Sequence, residues 1–519
     1  MEPLTREVGY EYVRRSLDLT ALPPARIARV KPVTRLTELA DGLAVPRTIA
    51  PTGEDAPTPA GMLDHILFAL KHEGTNLAVL AEALPKIPGD TLLEALHESP
   101  NGLYLRKAAF LWEAFTKETL PVESNAGGAT VPLFDPERYV TGPSQRNARW
   151  RVDFNGLGSL DYCPTVERTP EIEALLNSDI LGRAKRFMDE LPAELTERAI
   201  SWAYLHETQS SFAIERETPS EDRAERFVDV LRQAHQRRIL TEEYLVELQN
   251  TCVSNPFDQA AIFRTEQNHL ANGSRGAAGV TYVPPPPEMV EDLMNRWMDM
   301  ANSLPSQTDP LVAAAVASFG FVYIHPFMDG NGRLSRFLIH HALCSSGQLE
   351  NGLLLPVSVA MKHHEADYLA SLTTFSKPAR DRWRVKWIDD DQYAFEFRGH
   401  GAMYRYWDAT PAVKFVQTMA QQALEVELRR ETDYLQNYDQ VKRIIEAKFD
   451  VRNTILSRLI VMCLDNDGVV SKNRRKQFAG QVPDALFPAL EAAVRETLGA
   501  PDSDEEGGAD DSHVDGRGG

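Results

Sequence analysis

The chain has 519 residues and a mass of 58.0 kDa, more than one hydrophobic core usually organises, so we expect two to four domains. Its formal net charge is −20, and residues 501–519 contain seven of the acidic residues and only one arginine. This acidic balance argues against a protein that binds along a nucleic-acid backbone. No CxxC motif occurs, which argues against a disulfide framework or a zinc site and predicts four reduced, buried thiols (Cys163, Cys252, Cys344 and Cys463).

No segment of the sequence predicts secretion or membrane insertion. The N-terminal stretch MEPLTREVGYEYVRR lacks the apolar core of a signal peptide. The longest apolar run, Leu311–Ile324, is too short to cross a bilayer. We therefore expect a soluble, cytoplasmic protein.

Residues 1–122 are predicted to form a helical module with an irregular lead-in. Residues 1–60 are polar and interrupted by prolines, whereas apolar residues from Thr58 to Thr116 recur at helical spacing. A helix-turn-helix arrangement would fit this pattern, but no clustered basic face accompanies it. DNA binding by this module is therefore kept only as an alternative.

Residues 123–168 are predicted to be a linker with short strands, because glycines and Pro143 interrupt strand-like runs such as Trp150–Phe154. From Thr169 the pattern becomes helical again, with a helix expected over Glu194–Ser211. Residues 169–400 are predicted to form one domain.

A buried helix leads to the chemically most informative stretch of the chain. Asp309 offers a capping oxygen and Pro310 suits the first helical turn, so a helix should begin there. It is apolar on nearly every side, which predicts a place in a core, and it delivers the chain to His325. A second helix should begin near Gly332.

The twelve residues HPFMDGNGRLSR, His325–Arg336, contain groups that can activate a hydroxyl and hold a metal. His325 can titrate near neutrality, which suits a general base. Asp329 is an oxygen ligand of the kind that Mg²⁺ uses when substrate phosphates complete its coordination shell.

Five further residues of this stretch predict a cradle for phosphate groups. Gly330, Asn331 and Gly332 permit backbone conformations that point successive N–H groups into one concavity at a helix N-terminus. Arg333 and Arg336 share one helix face, and two arginines in a first turn are tolerated when anionic phosphates neutralise them. We call these five residues the phosphate cradle.

The stretch resembles the signature HPFx(D/E)GNGRxxR of the Fic (filamentation-induced-by-cAMP) family and meets all nine specified positions. The resemblance implies a mainly α fold, in which a Fic-type helical core with a small β-hairpin flap is flanked by N- and C-terminal helical modules. It also implies a nucleotidyltransferase: a protein adenylyltransferase that moves AMP from Mg²⁺-ATP to a Ser, Thr or Tyr hydroxyl of a target protein or of itself. His325 would be the base, Asp329 would hold Mg²⁺, and the phosphate cradle would bind ATP.

An upstream segment resembles the inhibitory (S/T)xxxE(G/N) motif of the same family. Ser211 and Glu215 occupy its two specified polar positions. In the family the glutamate pairs with the second signature arginine, here Arg336, and takes the place of the ATP γ-phosphate. Arg216 stands where the family has Gly or Asn, and Glu217 is a rival carboxylate.

A second upstream segment, residues 272–283, resembles the flap that holds an extended target segment by main-chain pairing. Target contacts are expected at four consecutive residues (Gly279, Val280, Thr281 and Tyr282). Prolines 284–287 come next and stop further strand growth.

The C-terminal region is predicted to comprise a helical module, residues 401–500, for which a winged-helix-like fold is one candidate, and a disordered acidic tail, residues 501–519. Three alternatives to adenylyl transfer stay open, and one of them is transfer of a different group, since the phosphate cradle does not read the base. The same site could remove AMP, with Glu215 positioning a water molecule. Alternatively, the core could sense a nucleotide while the terminal modules bind DNA or a partner, although the complete catalytic set disfavours this.

Overall fold

Helices supply most of the secondary structure and the sheets are small, which confirms the predicted fold class. The structure, a computed structural model, describes residues 6–52, 58–122, 126–253, 255–349, 352–389 and 392–498. Its contacts divide the chain into two units, one spanning Met1–Glu190 and Ile200–Glu425 and the other spanning Leu191–Ala199 and Val426–Gly519. The five domains drawn from the sequence remain predictions.

The elements are numbered in chain order. The helices are α1 (Tyr10–Ser16), α2 (Pro59–His72), α3 (Leu77–Ala83), α4 (Gly89–Glu98), α5 (Leu103–Thr116), α6 (Pro170–Leu176), α7 (Ile180–Asp189), α8 (Ala193–Ile214), α9 (Glu221–Gln233), α10 (Glu242–Cys252), α11 (Pro287–Ser303), α12 (Pro310–Ile324), α13 (Asn331–Ser345), α14 (Val357–His363), α15 (Glu365–Arg380), α16 (Ala402–Arg405), α17 (Thr410–Gln422), α18 (Arg429–Glu446), α19 (Asn453–Leu464), α20 (Lys472–Phe478) and α21 (Leu486–Leu498). The strands are β1 (Ile27–Val30), β2 (Thr37–Leu39), β3 (Gly42–Val45), β4 (Val131–Pro132), β5 (Gln145–Asn147), β6 (Val152–Phe154), β7 (Leu270–Ala271), β8 (Val280–Tyr282), β9 (Trp383–Asp389) and β10 (Gln392–Phe397).

The expected irregular lead-in instead contains α1 and a three-stranded sheet. Strand β3 lies in the middle, parallel to β1 and antiparallel to β2. Val8 and Val45 are buried with Phe68 of α2 in one apolar cluster. Strands of three or four residues contain too few positions to establish a period, which is why the sequence pattern did not predict them.

The predicted linker contains the three short strands β4, β6 and β5, in that order across a sheet. Trp150 is buried, and its indole N–H donates to Glu113 of α5 at 2.7 Å. Val152 and Phe154 belong to the same apolar core as the helices of the N-terminal module. This segment therefore packs into that module as well as connecting it to α6.

Helix α12 begins where the sequence predicts. The Asp309 carboxylate accepts hydrogen bonds from the backbone N–H groups of Leu311 and Val312 at 2.9 and 3.0 Å. The helix is buried along almost its whole length between α11, α13 and α17. Helix α13 begins at Asn331, one residue before the predicted start.

The predicted flap segment, residues 272–283, supplies β8 of an antiparallel hairpin whose other strand, β7, lies just before it. A second hairpin, β9–β10, supports it: Trp383 packs in one apolar cluster with Val280 and Val283. This second hairpin was not predicted from the sequence. The alternation of its strands, WRVKWID and QYAFEF, is the period-two signal that would have indicated it.

The second unit contains helices α18 to α21 around a core that includes Val441, Leu459 and Leu490. Within this unit Arg198 donates to both carboxylate oxygens of Asp439 at 2.7 Å. Its described residues supply one isolated β-bridge, between residues 479 and 482, and no paired strands. The winged-helix-like fold therefore stays a prediction.

Three expectations concern the environment of the chain. All four cysteines are free and buried, as predicted. Throughout the described part of the chain, no helix combines the length and the apolar character needed to cross a membrane. The predicted disordered tail, residues 501–519, lies outside the described residues.

Candidate functional site

The signature forms the turn between α12 and α13. His325 caps α12 in a left-handed conformation with φ 53°, and Gly330 precedes α13 with φ 87°. Glycine adopts such angles without steric cost, whereas a histidine there stores about 1 kcal/mol of strain, as residues of functional sites often do. The two reversals let α13 pack back along α12.

His325 is buried and suited to accept a proton. Its Nδ1 lies 3.1 Å from the carbonyl oxygen of Val322. A neutral ring that donates from Nδ1 to this carbonyl leaves Nε2 as the basic nitrogen. Burial, with a smaller contribution from the charge of Arg264, lowers the pKa of His325 to about 4 against the opposing effects of Val322, Glu215 and Asp329. The imidazole is therefore neutral at pH 7.

Arg264, which the sequence analysis did not single out, holds the signature turn in place. Its Nε donates to the carbonyl oxygen of His325 at 2.7 Å, and its Nη2 donates to that of Pro285 at 2.7 Å. Its backbone N–H donates to the carbonyl oxygen of Pro326 at 2.8 Å. Desolvation lowers the pKa of Arg264 to about 10, so it stays charged at pH 7. A lone arginine in an irregular segment gives no sequence signal for this role.

Asn331 braces the turn from within. Its side-chain amide donates to the carbonyl oxygen of Phe327 at 2.8 Å and its side-chain oxygen accepts from the N–H of Phe327 at 3.0 Å. The side-chain oxygen and one of the two amide N–H groups of Asn331 are thus used within the turn. Gln249, also missed from the sequence, donates to the carbonyl oxygen of Asp329 at 3.1 Å.

Arg333 lies beneath Asp329 and is 1% exposed, whereas the Asp329 side chain is 45% exposed. The Nη2 of Arg333 lies 3.2 and 3.1 Å from the two carboxylate oxygens. The Nη1 donates to the carbonyl oxygen of Cys252 and to the carboxylate of Glu217, at 3.0 and 3.1 Å. The first signature arginine is thus compensated by two carboxylates.

Arg336 is equally buried and meets the segment that resembles the inhibitory motif. Its Nε donates to the hydroxyl of Ser211 at 2.8 Å and its Nη2 donates to the carbonyl oxygen of Ser211 at 2.7 Å. The same Nη2 lies 2.9 Å from Oε1 of Glu215. The structure therefore brings both residues of the predicted motif onto the second signature arginine.

The Glu215 carboxylate also lies against Gly332 of the phosphate cradle. A Cβ atom at residue 332 would come within 2.0 Å of Glu215 Oε1. Only a glycine at this position permits the approach, so the carboxylate occupies space directly beside the N-terminus of α13. That is where a phosphate group would bind a helix N-terminus.

The turn after α8 explains how these carboxylates are placed. Arg216 is left-handed, with φ 61°. The N–H of Glu217 donates to the carbonyl oxygen of Phe212, and that of Arg216 donates to that of Ala213, both at 3.0 Å. This pair of bonds is a Schellman motif, in which glycine and asparagine favour the left-handed position. The family preference for Gly or Asn therefore has a physical reason, and an arginine meets the same requirement here under strain.

A buried polar network fixes α8 against α13. The Glu207 carboxylate lies 2.7 Å from Nε2 of His340 and accepts from the backbone N–H of Ser358 at 2.7 Å. All three side chains are buried. The network joins α8, α13 and α14, so the segment bearing Glu215 is held to the signature helix by more than the ion pairs at the site.

The predicted target-binding residues of the flap differ in exposure. Gly279, Val280 and Tyr282 are buried, whereas Thr281 is exposed. The Tyr282 hydroxyl donates to the carbonyl oxygen of Tyr323, two residues before His325. The hairpin is thus anchored to the helix that ends in the candidate base, while target binding by it stays a prediction.

A cavity of about 460 Å³ lies elsewhere in the first unit. It is lined by residues of the N-terminal module, of the predicted linker 123–168 and of the segments 374–378 and 406–411, and by no residue of the signature. The geometry of the signature residues and their partners, rather than cavity size, therefore defines the candidate site.

Residues 239–343 match the family model of the Fic/DOC family. A protein from Nematostella vectensis named protein adenylyltransferase Fic is 42% identical over 67 residues, which are 13% of this chain and 16% of the relative. Protein adenylyltransferase fic-1 of Caenorhabditis elegans is 33% identical over 92 residues, 18% of each chain. The crystal structure of a Fic family protein from Desulfovibrio desulfuricans G20 aligns with a TM-score of 0.38 and 20% identity, covering 61% of this chain and 89% of that one.

The chain thus spans less than a fifth of the length of these two curated relatives. The matched region 239–343 nevertheless contains the complete signature, the flap and Arg264. Within residues 239–343 the chain therefore contains a region that matches the Fic/DOC family and includes its complete signature.

Proposed function

We propose that this protein transfers AMP from ATP to a Ser, Thr or Tyr hydroxyl of a target protein, and that Glu215 restrains the reaction. One observation carries the proposal: a neutral, buried imidazole lies in the same turn as two buried arginines whose charges are compensated by carboxylates from another segment. Buried guanidinium groups require such partners. Because the Glu215 side chain is 37% exposed, an incoming phosphate can replace it.

In the proposed reaction Nε2 of His325 takes the proton of the acceptor hydroxyl as its oxygen attacks the α-phosphorus of ATP. The new oxygen–phosphorus bond forms while the bond from the α-phosphorus to the bridging oxygen breaks, and pyrophosphate leaves. The N–H groups at the start of α13 and the two arginines would stabilise the charge on the phosphates. The names of the relatives, which are protein adenylyltransferases, support this choice of reaction.

Mg²⁺ is the metal that the family resemblance implies, and Asp329 suits it. The carboxylate is half-exposed at the edge of the cradle, as a ligand that shares a metal with substrate must be. Among the described residues no group of three or more His, Cys, Asp or Glu side chains is arranged to hold a metal ion, so phosphate oxygens and water would complete the shell. When bound, the ion would neutralise and orient the phosphates, and Asp329 would exchange part of its pairing with Arg333 for it.

The test is labelling of the purified full chain with ATP that carries label on the α-phosphate, in the presence of a lysate. We expect weak labelling by the wild type, an increase of about tenfold in Glu215→Gly, and loss of labelling in His325→Ala. The increase corresponds to the roughly 1.5 kcal/mol of a hydrogen bond to a charged group.

Mass spectrometry of the same samples reports the transferred mass and the acceptor residue. Unchanged labelling in Glu215→Gly would show that Glu215 does not inhibit. Release of AMP from a modified target by the wild type, lost in Glu215→Gly, would favour the reverse reaction. Salt-dependent DNA binding without any transfer would favour the nucleotide-sensing regulator.

A further inference from the structure

We infer that Glu217 is a second inhibitory carboxylate, which occupies Arg333 as Glu215 occupies Arg336. The inference rests on the proposed function and deepens it, because it concerns regulation of the same site. From the sequence, Glu217 was only a rival of Glu215 for one arginine. The structure gives each carboxylate its own arginine, at 3.1 Å for Glu217 and 2.9 Å for Glu215.

Both terminal nitrogens of Arg333 are occupied while Glu217 is in place, and only its buried Nε has no hydrogen-bond partner among the described residues. Its Nη1 is shared by Glu217 and the carbonyl oxygen of Cys252, and its Nη2 contacts both oxygens of Asp329. The Cys252 contact belongs to the backbone, and Asp329 is only four residues away on the same turn. Glu217 is therefore the partner that a phosphate can displace without rebuilding the site.

Exposure supports the same choice of partner. The Glu217 side chain is 35% exposed, whereas Arg333 is 1% exposed. A carboxylate that leaves this position regains water, while the arginine that stays behind needs another anion. A triphosphate supplies that anion.

Charge also favours an inhibitory role. Glu217 Oε2 lies 3.2 Å from Nη2 of Arg223, so it faces Arg223 as well as Arg333. Three guanidinium groups (Arg223, Arg333 and Arg336) thus meet three carboxylates (Glu215, Glu217 and Asp329), and the formal charges cancel. With these six charges balanced, the side chains add little net attraction for a triphosphate beyond that of the α13 N-terminus. Loss of Glu217 leaves one positive charge, and loss of Glu215 as well leaves two.

The two carboxylates are placed by one turn. Glu215 and Glu217 flank Arg216, the left-handed residue of the Schellman motif. Opening of this turn would release both arginines together. Removal of Glu215 alone, in contrast, leaves Arg333 occupied, so a single substitution should relieve only part of the inhibition.

The experiment is titration calorimetry of Mg²⁺-ATP into the full chain, which requires no transfer reaction. We expect Glu217→Gln to tighten ATP binding about three- to tenfold, since a partly exposed ion pair contributes up to about 1 kcal/mol and competes directly with the ligand. The same factor should separate the Glu215→Gly, Glu217→Gln double variant from Glu215→Gly alone. Glu225→Gln, which removes an exposed charge on α9, is the matched control and should bind like the wild type.

Unchanged or weaker binding by Glu217→Gln, at a thermal midpoint within about 2 °C of the wild type, would overturn the inference, because it is the result of a merely structural ion pair. If Glu217→Gln unfolds, Glu217→Asp provides the decision. Its charge is kept but its carboxylate is withdrawn by one methylene, so binding should again tighten and would not do so for a structural pair.

The two proposals fail separately. Tighter binding by Glu217→Gln without any AMP transfer would support the second carboxylate and count against the proposed reaction. If Glu215→Gly increases AMP transfer but Glu217→Gln does not change ATP binding, only the inhibitory role of Glu217 is refuted.

Discussion

Arg216→Gly should strengthen the inhibition of this protein rather than relieve it. Arg216 has φ 61° at the left-handed position of the Schellman motif that places Glu215 and Glu217. A left-handed residue with a Cβ atom costs about 1–2 kcal/mol, which glycine avoids. The greater freedom of glycine in the opened turn offsets about 0.5–1 kcal/mol of that gain.

The net stabilisation of the closed turn is then about 0.5–1 kcal/mol, which is a factor of roughly two to five in its population. ATP binding, measured by calorimetry, and AMP incorporation, measured with labelled ATP, should both fall by that factor. The effect requires no new contact, because it arises from the backbone alone.

Arg216→Ala is the matched control for this experiment. It removes the same exposed charge but keeps the Cβ atom, and with it the strain of the left-handed conformation. It should therefore bind ATP close to the wild-type value. Equal behaviour of the Gly and Ala variants would refute the reasoning, because the effect would then come from the charge of Arg216 and not from its backbone.

Two further outcomes are expected, both measured in the Glu215→Gly background. Burial lowers the pKa of His325 from 6.5 to about 4, so its ring resists protonation. The transfer rate should therefore stay level between about pH 6 and 8 and fall only below about pH 5. A fall of the rate centred near pH 6.5 would contradict this prediction. Removal of Glu215, whose charge raises this pKa, moves it further down. Arg264→Lys keeps the charge but cannot reproduce the planar set of hydrogen bonds to the carbonyl oxygens of His325 and Pro285. Transfer should therefore slow about tenfold while the affinity for ATP stays unchanged. Weakened ATP binding at an unchanged transfer rate would exclude a positioning role for Arg264.

Much of the candidate site could be predicted from the sequence because its chemistry is contiguous. The base, the candidate metal ligand and the phosphate cradle all lie within His325–Arg336, and a helix cap at Asp309 fixes the start of the helix that leads to them. The groups that hold this turn could not be predicted. Arg264 and Gln249 act through bonds to backbone carbonyl groups, which place no demand on neighbouring residue types.

The fold class, the match to a Fic domain and the start of α12 could be predicted from the amino-acid sequence, since they depend on local periodicity and on a contiguous motif. The roles of the reacting groups stay predictions. Which carboxylate meets which arginine became clear only from the folded chain. Glu217 and Arg333 are 116 positions apart, and their contact depends on how α8 packs against α13 and on one left-handed residue between two glutamates. Ion pairs over such separations are set by packing, because the chain between the partners imposes almost no constraint on the distance between them.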